Sequence, residues 1–182
     1  MNFQKSPLNG LIVIYPDVIR DDRGYFFESY SKKRYDEICG ECEFVQDNVS
    51  ESVKDTVRGL HYQIGDFAQG KLCKVLLGKV MDVAVDIRFG SPTFGKYFSV
   101  ELSDENNAQL WIPPGFAHGF SVLSGKAVFH YKCTNYYSKA YERSIRFNDP
   151  SLNIEWHVKN PIVSSKDLSA PLFSQVEKIF IL

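Results

Sequence analysis

The segment VRGLHYQ (57–63), with QGKLCKV (69–75) close behind it, gathers Arg58, His61, Gln63 and Lys71 into a short stretch of chain. An imidazole is the side chain whose ordinary pKa best suits it to accept a proton near neutral pH. A neighbouring ammonium could hold a developing oxyanion, and a guanidinium could grip a phosphate through two parallel hydrogen bonds. Gly59 and Gly70 lie where the backbone bends or a ligand comes close. Singly, each residue has a plainer explanation: a lone strand histidine is commonly structural, and Arg58 or Lys71 alone would be a solvated surface charge. Two further segments add chemistry. WIPPGFAHGF (111–120) sets His118 just behind a rigid Pro113-Pro114-Gly115 turn, either as a braced functional residue or as an incidental one. DDRGYFFESY (21–30) combines Arg23 for a phosphate, Phe26 or Phe27 for base stacking and Glu28 for a base N–H. Its plain alternative is a surface turn followed by core phenylalanines.

Metal and redox chemistry find little footing. His61, His118, His130 and His157 stand singly, and Tyr62 and Gln63 follow His61 where a His-x-His pair would need a second histidine. No metal is therefore expected. Cys39 and Cys42 form a lone C-x-x-C without a second ligand pair, and Cys73 and Cys133 are isolated within apolar strand patterns. They read as reduced thiols. Neither a G-x-G-x-x-G fingerprint nor a phosphate-binding P-loop occurs, so no cofactor is expected.

The elements that must position these groups are mostly strands. Short apolar or alternating runs recur at 11–15, 24–30, 43–49, 78–88, 96–102, 109–113, 119–123 and 126–137, with Gly, Pro, Asn and Asp between them. That pattern predicts an all-β sandwich or barrel. One helix is expected, opening at Ser31 as N-cap and running through KKRYDEIC. Alternation places Val83, Val85 and Ile87 on one face and Asp82, Ala84, Asp86 and Arg88 on the other. It likewise puts Tyr131 with Phe129 and Cys133 on an apolar face, opposite His130, Lys132 and Thr134. A phenol on an interior face needs a partner or a function. The apolar C-terminal VEKIFIL is expected to dock on the body.

The 182 residues suit one domain over 1–182, and a formal net charge of -1 gives no basic excess for nucleic acid. LIVIY is short and broken by Pro16, so it reads as a strand rather than a leader, and no apolar run reaches bilayer length. A cytoplasmic protein with no membrane partner is the expectation.

Taken in order, DDRGYFFESY, FVQDNVSES, VRGLHYQ, QGKLCKVLLGKVMDVAVDIRFGSPTFGKY, LWIPPGFAHGF, YKCTNYY, FNDPSLNIEW and SSKDLSAP resemble the dTDP-4-dehydrorhamnose 3,5-epimerases. These are metal-free members of the cupin-like jelly rolls, and the resemblance runs from about Gly10 to about Pro171. It implies a jelly-roll β-sandwich with a few short peripheral helices. It implies that His61 is the catalytic base, Asp167 its carboxylate partner, Tyr131 the opposing acid and Lys71 the group beside the ketone oxygen. It further implies substrate contacts from Arg23, Arg58, Lys166 and His118, a nucleotide side built by Glu28 and Gln46-Asp47-Asn48, and a ring at Tyr137 that stacks on thymine. Glu142 matches another contact, although the surrounding SKAYERSIRF departs from the family's text. The implied substrate is a dTDP-linked 4-keto-6-deoxy sugar, and the implied assembly is a homodimer, with LIVIY able to pair across the interface. The alternatives are a mono-epimerase, a 3,4-ketoisomerase, a sugar-nucleotide binding module without catalysis, and a metal-dependent cupin.

Overall fold

The computed structural model describes residues 1–181. Two antiparallel sheets face each other. The first has the order β1-β2-β10-β7-β12-β5, from β1 (Asn2–Lys5), β2 (Ile12–Tyr15), β10 (Gln109–Ile112), β7 (Lys71–Leu77), β12 (Lys126–Cys133) and β5 (Gln46–Val53). The second has the order β13-β6-β11-β8-β9, from β13 (Glu142–Ser144), β6 (Thr56–Gln63), β11 (Phe116–Val122), β8 (Lys79–Asp86) and β9 (Tyr97–Ser103). A short β14 (Ile162–Val163) adds to β6 in parallel, and β3 (Ile19–Asp21) with β4 (Gly24–Phe26) forms a separate hairpin. This is the expected cupin-like jelly roll. Neighbours such as β2 and β10 are far apart in sequence, as the crossing connections of a jelly roll require.

Three apolar layers hold it together. Between the sheets lie Cys73, Val75, Leu110 and Phe129 from one side and Val80, Ala84, Phe120 and Val122 from the other. Val83, Val85 and Ile87 face outward from the second sheet, where Ile145, Phe147, Leu152 and Trp156 cover them. Burial of these side chains is worth about 1.5–3 kcal/mol each before chain entropy is subtracted. The face of β8 turned to the interior is thus the more polar one, carrying Asp82 and Ala84. The third layer packs α1 (Lys32–Cys39) on the outside of the first sheet through Tyr35 and Ile38. Ser31 is its N-cap residue, as expected, although its side chain makes no capping hydrogen bond.

Several expectations change. LIVIY has no free edge for a partner, because β2 pairs with β1 on one side and β10 on the other. The 24–30 run is strand only to Phe26, and the 126–137 run ends as strand at Cys133. The C-terminal segment docks as expected, with Ile179 and Phe180 on the second sheet's cover and the Phe180 carbonyl accepting from the Phe89 N–H at 2.6 Å. No helix among the described residues is long and apolar enough to cross a membrane.

Candidate active site

Antiparallel register builds the two walls of a cavity of about 270 Å³ between the sheets. On the first sheet Cys133 pairs with Lys71 and Gln46, and Tyr131 pairs with Cys73 and Asn48. Directly opposed residues share a face, so Lys71, Tyr131, Gln46 and Asn48 all turn inward and line the cavity. Asp47 must then turn outward, where its carboxylate pairs with Lys132 at 2.9 Å and approaches His130. Its side chain is not on the nucleotide side of this cavity, against the expectation for the whole 46–48 run.

On the second sheet His61 is the direct partner of His118, while Arg58 pairs with Phe120. Gly119 of β11 therefore faces both Gly59 and Leu60 of β6, a bulge that brings Arg58 and His61 onto the same wall. Gly59 makes this possible: it has φ +133°, and a Cβ there would lie 2.6 Å from the Gly119 Cα.

His61 Nε2 lies 2.7 Å from Asp167 Oδ1. Asp167 sits in α2 (Ser165–Leu168), is buried, and also accepts from the Gly59 N–H at 3.3 Å. The Ser164 hydroxyl caps that turn by accepting from the Asp167 N–H. Burial alone would raise the Asp167 pKa, but the hydrogen bond and charge of His61 hold it below its ordinary value. An ionised Asp167 accepts the Nε2–H of His61 and so leaves Nδ1 as the basic nitrogen of the ring. From the opposite wall, Tyr131 presents a phenol whose hydroxyl bonds to no other described residue, and burial pushes its pKa up to about 12. Lys71, also largely buried, brings its ammonium to 5.8 Å from the Tyr131 ring centre.

At the rim, Glu142 Oε2 accepts from Lys166 Nζ at 2.6 Å and from the Tyr137 hydroxyl at 3.0 Å. Burial raises the Glu142 pKa, yet these two bonds bring it below its ordinary value. Arg58 lines both this cavity and a second hollow reached past His61, which Lys166 and Asp167 also line. Arg23 and Glu28 lie elsewhere. Arg23 sits on the β3–β4 hairpin, 90% exposed and paired with Asp21, and Glu28 faces Arg34 at 3.5 Å.

Sequence reasoning passed over Asp82. It is fully buried, and its Oδ1 lies 2.5 Å from His118 Nε2. Cys73 Sγ is 3.8 Å from the same nitrogen, so the three residues form a group of possible metal ligands. The donor set does not suit a cation, however. Asp82 and His118 are engaged with each other, and Cys73 lies at the long distance of 3.8 Å from the nitrogen they share.

A histidine–carboxylate pair facing a phenol across a jelly-roll cavity has the groups of an acid–base site. The sequence profile of dTDP-4-dehydrorhamnose 3,5-epimerase matches residues 5–175. The dTDP-4-dehydrorhamnose 3,5-epimerase of Shigella flexneri is 53% identical over 174 residues, covering 95% of this chain and 96% of the relative. The crystal structure of a dTDP-6-deoxy-D-glucose-3,5-epimerase from Legionella pneumophila, in complex with dTDP-4-keto-L-rhamnose, superposes with a TM-score of 0.93 at 50% identity. The match covers 97% of this chain and 94% of that one. A dTDP-4-dehydrorhamnose 3-epimerase from Streptomyces niveus is 32% identical over 176 residues, 96% of this chain and 85% of the relative. The chain belongs to the dTDP-4-dehydrorhamnose 3,5-epimerase family.

Proposed function

We propose that this protein inverts both carbons flanking the ketone of dTDP-4-dehydro-6-deoxy-D-glucose, giving dTDP-4-dehydro-L-rhamnose for rhamnose-containing glycoconjugates, and does so in the cytoplasm. The observation that carries this reading is the His61–Asp167 pair on one wall facing, on the other, a Tyr131 phenol that has no hydrogen-bond partner among the described residues. A hydrogen beside a ketone is acidic because its loss gives an enolate. Nδ1 of His61 removes that proton, the Lys71 ammonium stabilises the enolate oxygen, and Tyr131 returns a proton from the opposite face. Repeating the cycle at the second carbon completes the conversion. Arg58 and Lys166 hold the diphosphate, and Gln46, Asn48, Tyr137 and Glu142 hold the nucleotide end.

Arg23 and Glu28 join this site if the protein is a homodimer. Arg23 lies on a two-stranded hairpin and Glu28 just beyond it; the hairpin carries Ile19 at 65% and Phe26 at 70% exposure. Such a hairpin is marginal alone and gains by lying on a second copy. We therefore place Arg23 and Glu28 over the partner's cavity.

Incubation with the keto sugar in deuterated water, followed by NMR, tests the reaction. Deuterium is expected at both C3 and C5. Uptake at one carbon only makes this a mono-epimerase like the Streptomyces niveus relative. A migrated ketone makes it a ketoisomerase, and dTDP binding without turnover leaves only a binding module.

A further inference from the structure

The wall that carries His61 holds a second histidine–carboxylate pair. His118 is the cross-strand partner of His61, and Asp82 reaches it diagonally from β8, since Ala84 is the residue opposite His118 and Asp82 the one opposite Phe120. Both histidines spend Nε2 on a carboxylate, at 2.7 Å for His61 and 2.5 Å for His118. The carboxylates differ. Asp167 has the Gly59 N–H as a further partner, whereas Asp82 Oδ2 is buried with no hydrogen-bond partner among the described residues. Asp82 also stands among the apolar residues Val80, Ala84 and Phe120. A buried acid with one partner is a poor stabiliser compared with a well-packed apolar side chain. Its value must lie in what it does to His118.

We propose that Asp82 is a positioning residue: by accepting the hydrogen bond from His118 Nε2–H it leaves Nδ1 as an acceptor at the cavity wall, which assigns His118 to a ring hydroxyl of the sugar and not to the ketone oxygen. No described residue bonds to His118 Nδ1, and the imidazole lines the cavity. Burial lowers the His118 pKa against the pull of Asp82, so the ring is neutral and has one N–H to give. An acceptor cannot stabilise an enolate, and that task falls to Lys71. A sugar hydroxyl needs an acceptor, and in its absence the hydroxyl would be buried unpaired. The assignment to a hydroxyl rests on the epimerase reading, while the tautomer does not.

Proton–nitrogen correlation NMR on the full chain reads the His118 tautomer directly. The expected result is an Nε2–H imidazole in the wild type, and an Nδ1–H imidazole overturns the proposal even if no variant folds. In Asp82→Leu the Nε2–H loses its acceptor, so the Nε2–H signal should give way to Nδ1–H. With the fold intact, kcat/KM should fall on the order of 10–100-fold, as for loss of a residue that orients another. In a His118→Ala background the same change should cost nothing further, because Asp82 acts only through His118. A kcat/KM within about threefold of wild type, or a further loss in that background, refutes the role. A wild type that shows the Nε2–H tautomer but turns over no keto sugar would sink the epimerase reading and leave the Asp82–His118 pairing standing.

Discussion

Replacing Tyr131 by phenylalanine removes one hydroxyl and leaves the ring between Phe129 and the cavity. That hydroxyl bonds to no other described residue, so no hydrogen bond is broken and no partner is stranded. Removal of an unpaired hydroxyl from a partly buried site should change stability by no more than about 1 kcal/mol. For a chain of this size that is a shift in Tm within about 4 °C. Activity should behave otherwise. Burial holds the phenol near a pKa of about 12, so it stays protonated at neutral pH and is available as an acid. Loss of a positioned general acid lowers the rate by roughly 10²–10⁴-fold, or about 3–5 kcal/mol of barrier. His61 would still remove the proton, so deuterium should continue to wash into the substrate faster than inverted product accumulates. Thermal melting, deuterium incorporation and product stereochemistry measured on one preparation separate these effects. The reasoning is refuted if Tyr131→Phe inverts the substrate within about fivefold of the wild-type rate, or if its loss of activity is matched by a fall in Tm well beyond that range.

Two further outcomes follow from the packing. Gly59→Ala forces a Cβ to 2.6 Å from the Gly119 Cα at a φ of +133°, and should destabilise the protein by about 3 kcal/mol or more and separate Arg58 from His61; denaturant unfolding and dTDP affinity measure the two effects. Asp86, fully buried, would have its pKa raised by burial, but the bonds from Arg88, Thr93 and Ser91 overcome this and bring it down to about 2. A carboxyl depressed in the folded state stabilises fully above its unfolded pKa of about 3.9, and loses that contribution as pH falls through about 2. The contribution is about 2.6 kcal/mol, so Asp86→Asn should lose that much at neutral pH and show a flatter stability curve between about pH 4 and pH 2 in urea titrations.

Where strict alternation held, the sequence alone determined a good deal. It gave the all-β class, the helix after Ser31, and the face that carries Tyr131, Phe129 and Cys133, because side chains on a strand can point only two ways. The same rule could have separated Asp47 from Gln46 and Asn48, and could have grouped Asp82 with an interior face once that face was known. The DDRG hairpin was legible as an exposed turn, but nothing in one chain's text says which cavity it serves. What only the tertiary structure decided begins at Gly59. Arg58 and His61 are three residues apart and belong on opposite faces of a regular strand, and a bulge in β6 returns them to one wall. The pairing of β6 with β11 and of β11 with β8 then sets His61 beside His118 and His118 beside Asp82. The fold also brings Asp167 to His61 across 106 residues of chain. The residue types of an acid–base site were present in the linear sequence. Their distances were not, because register, bulge and crossover are properties of paired strands and cannot be read from any one of them.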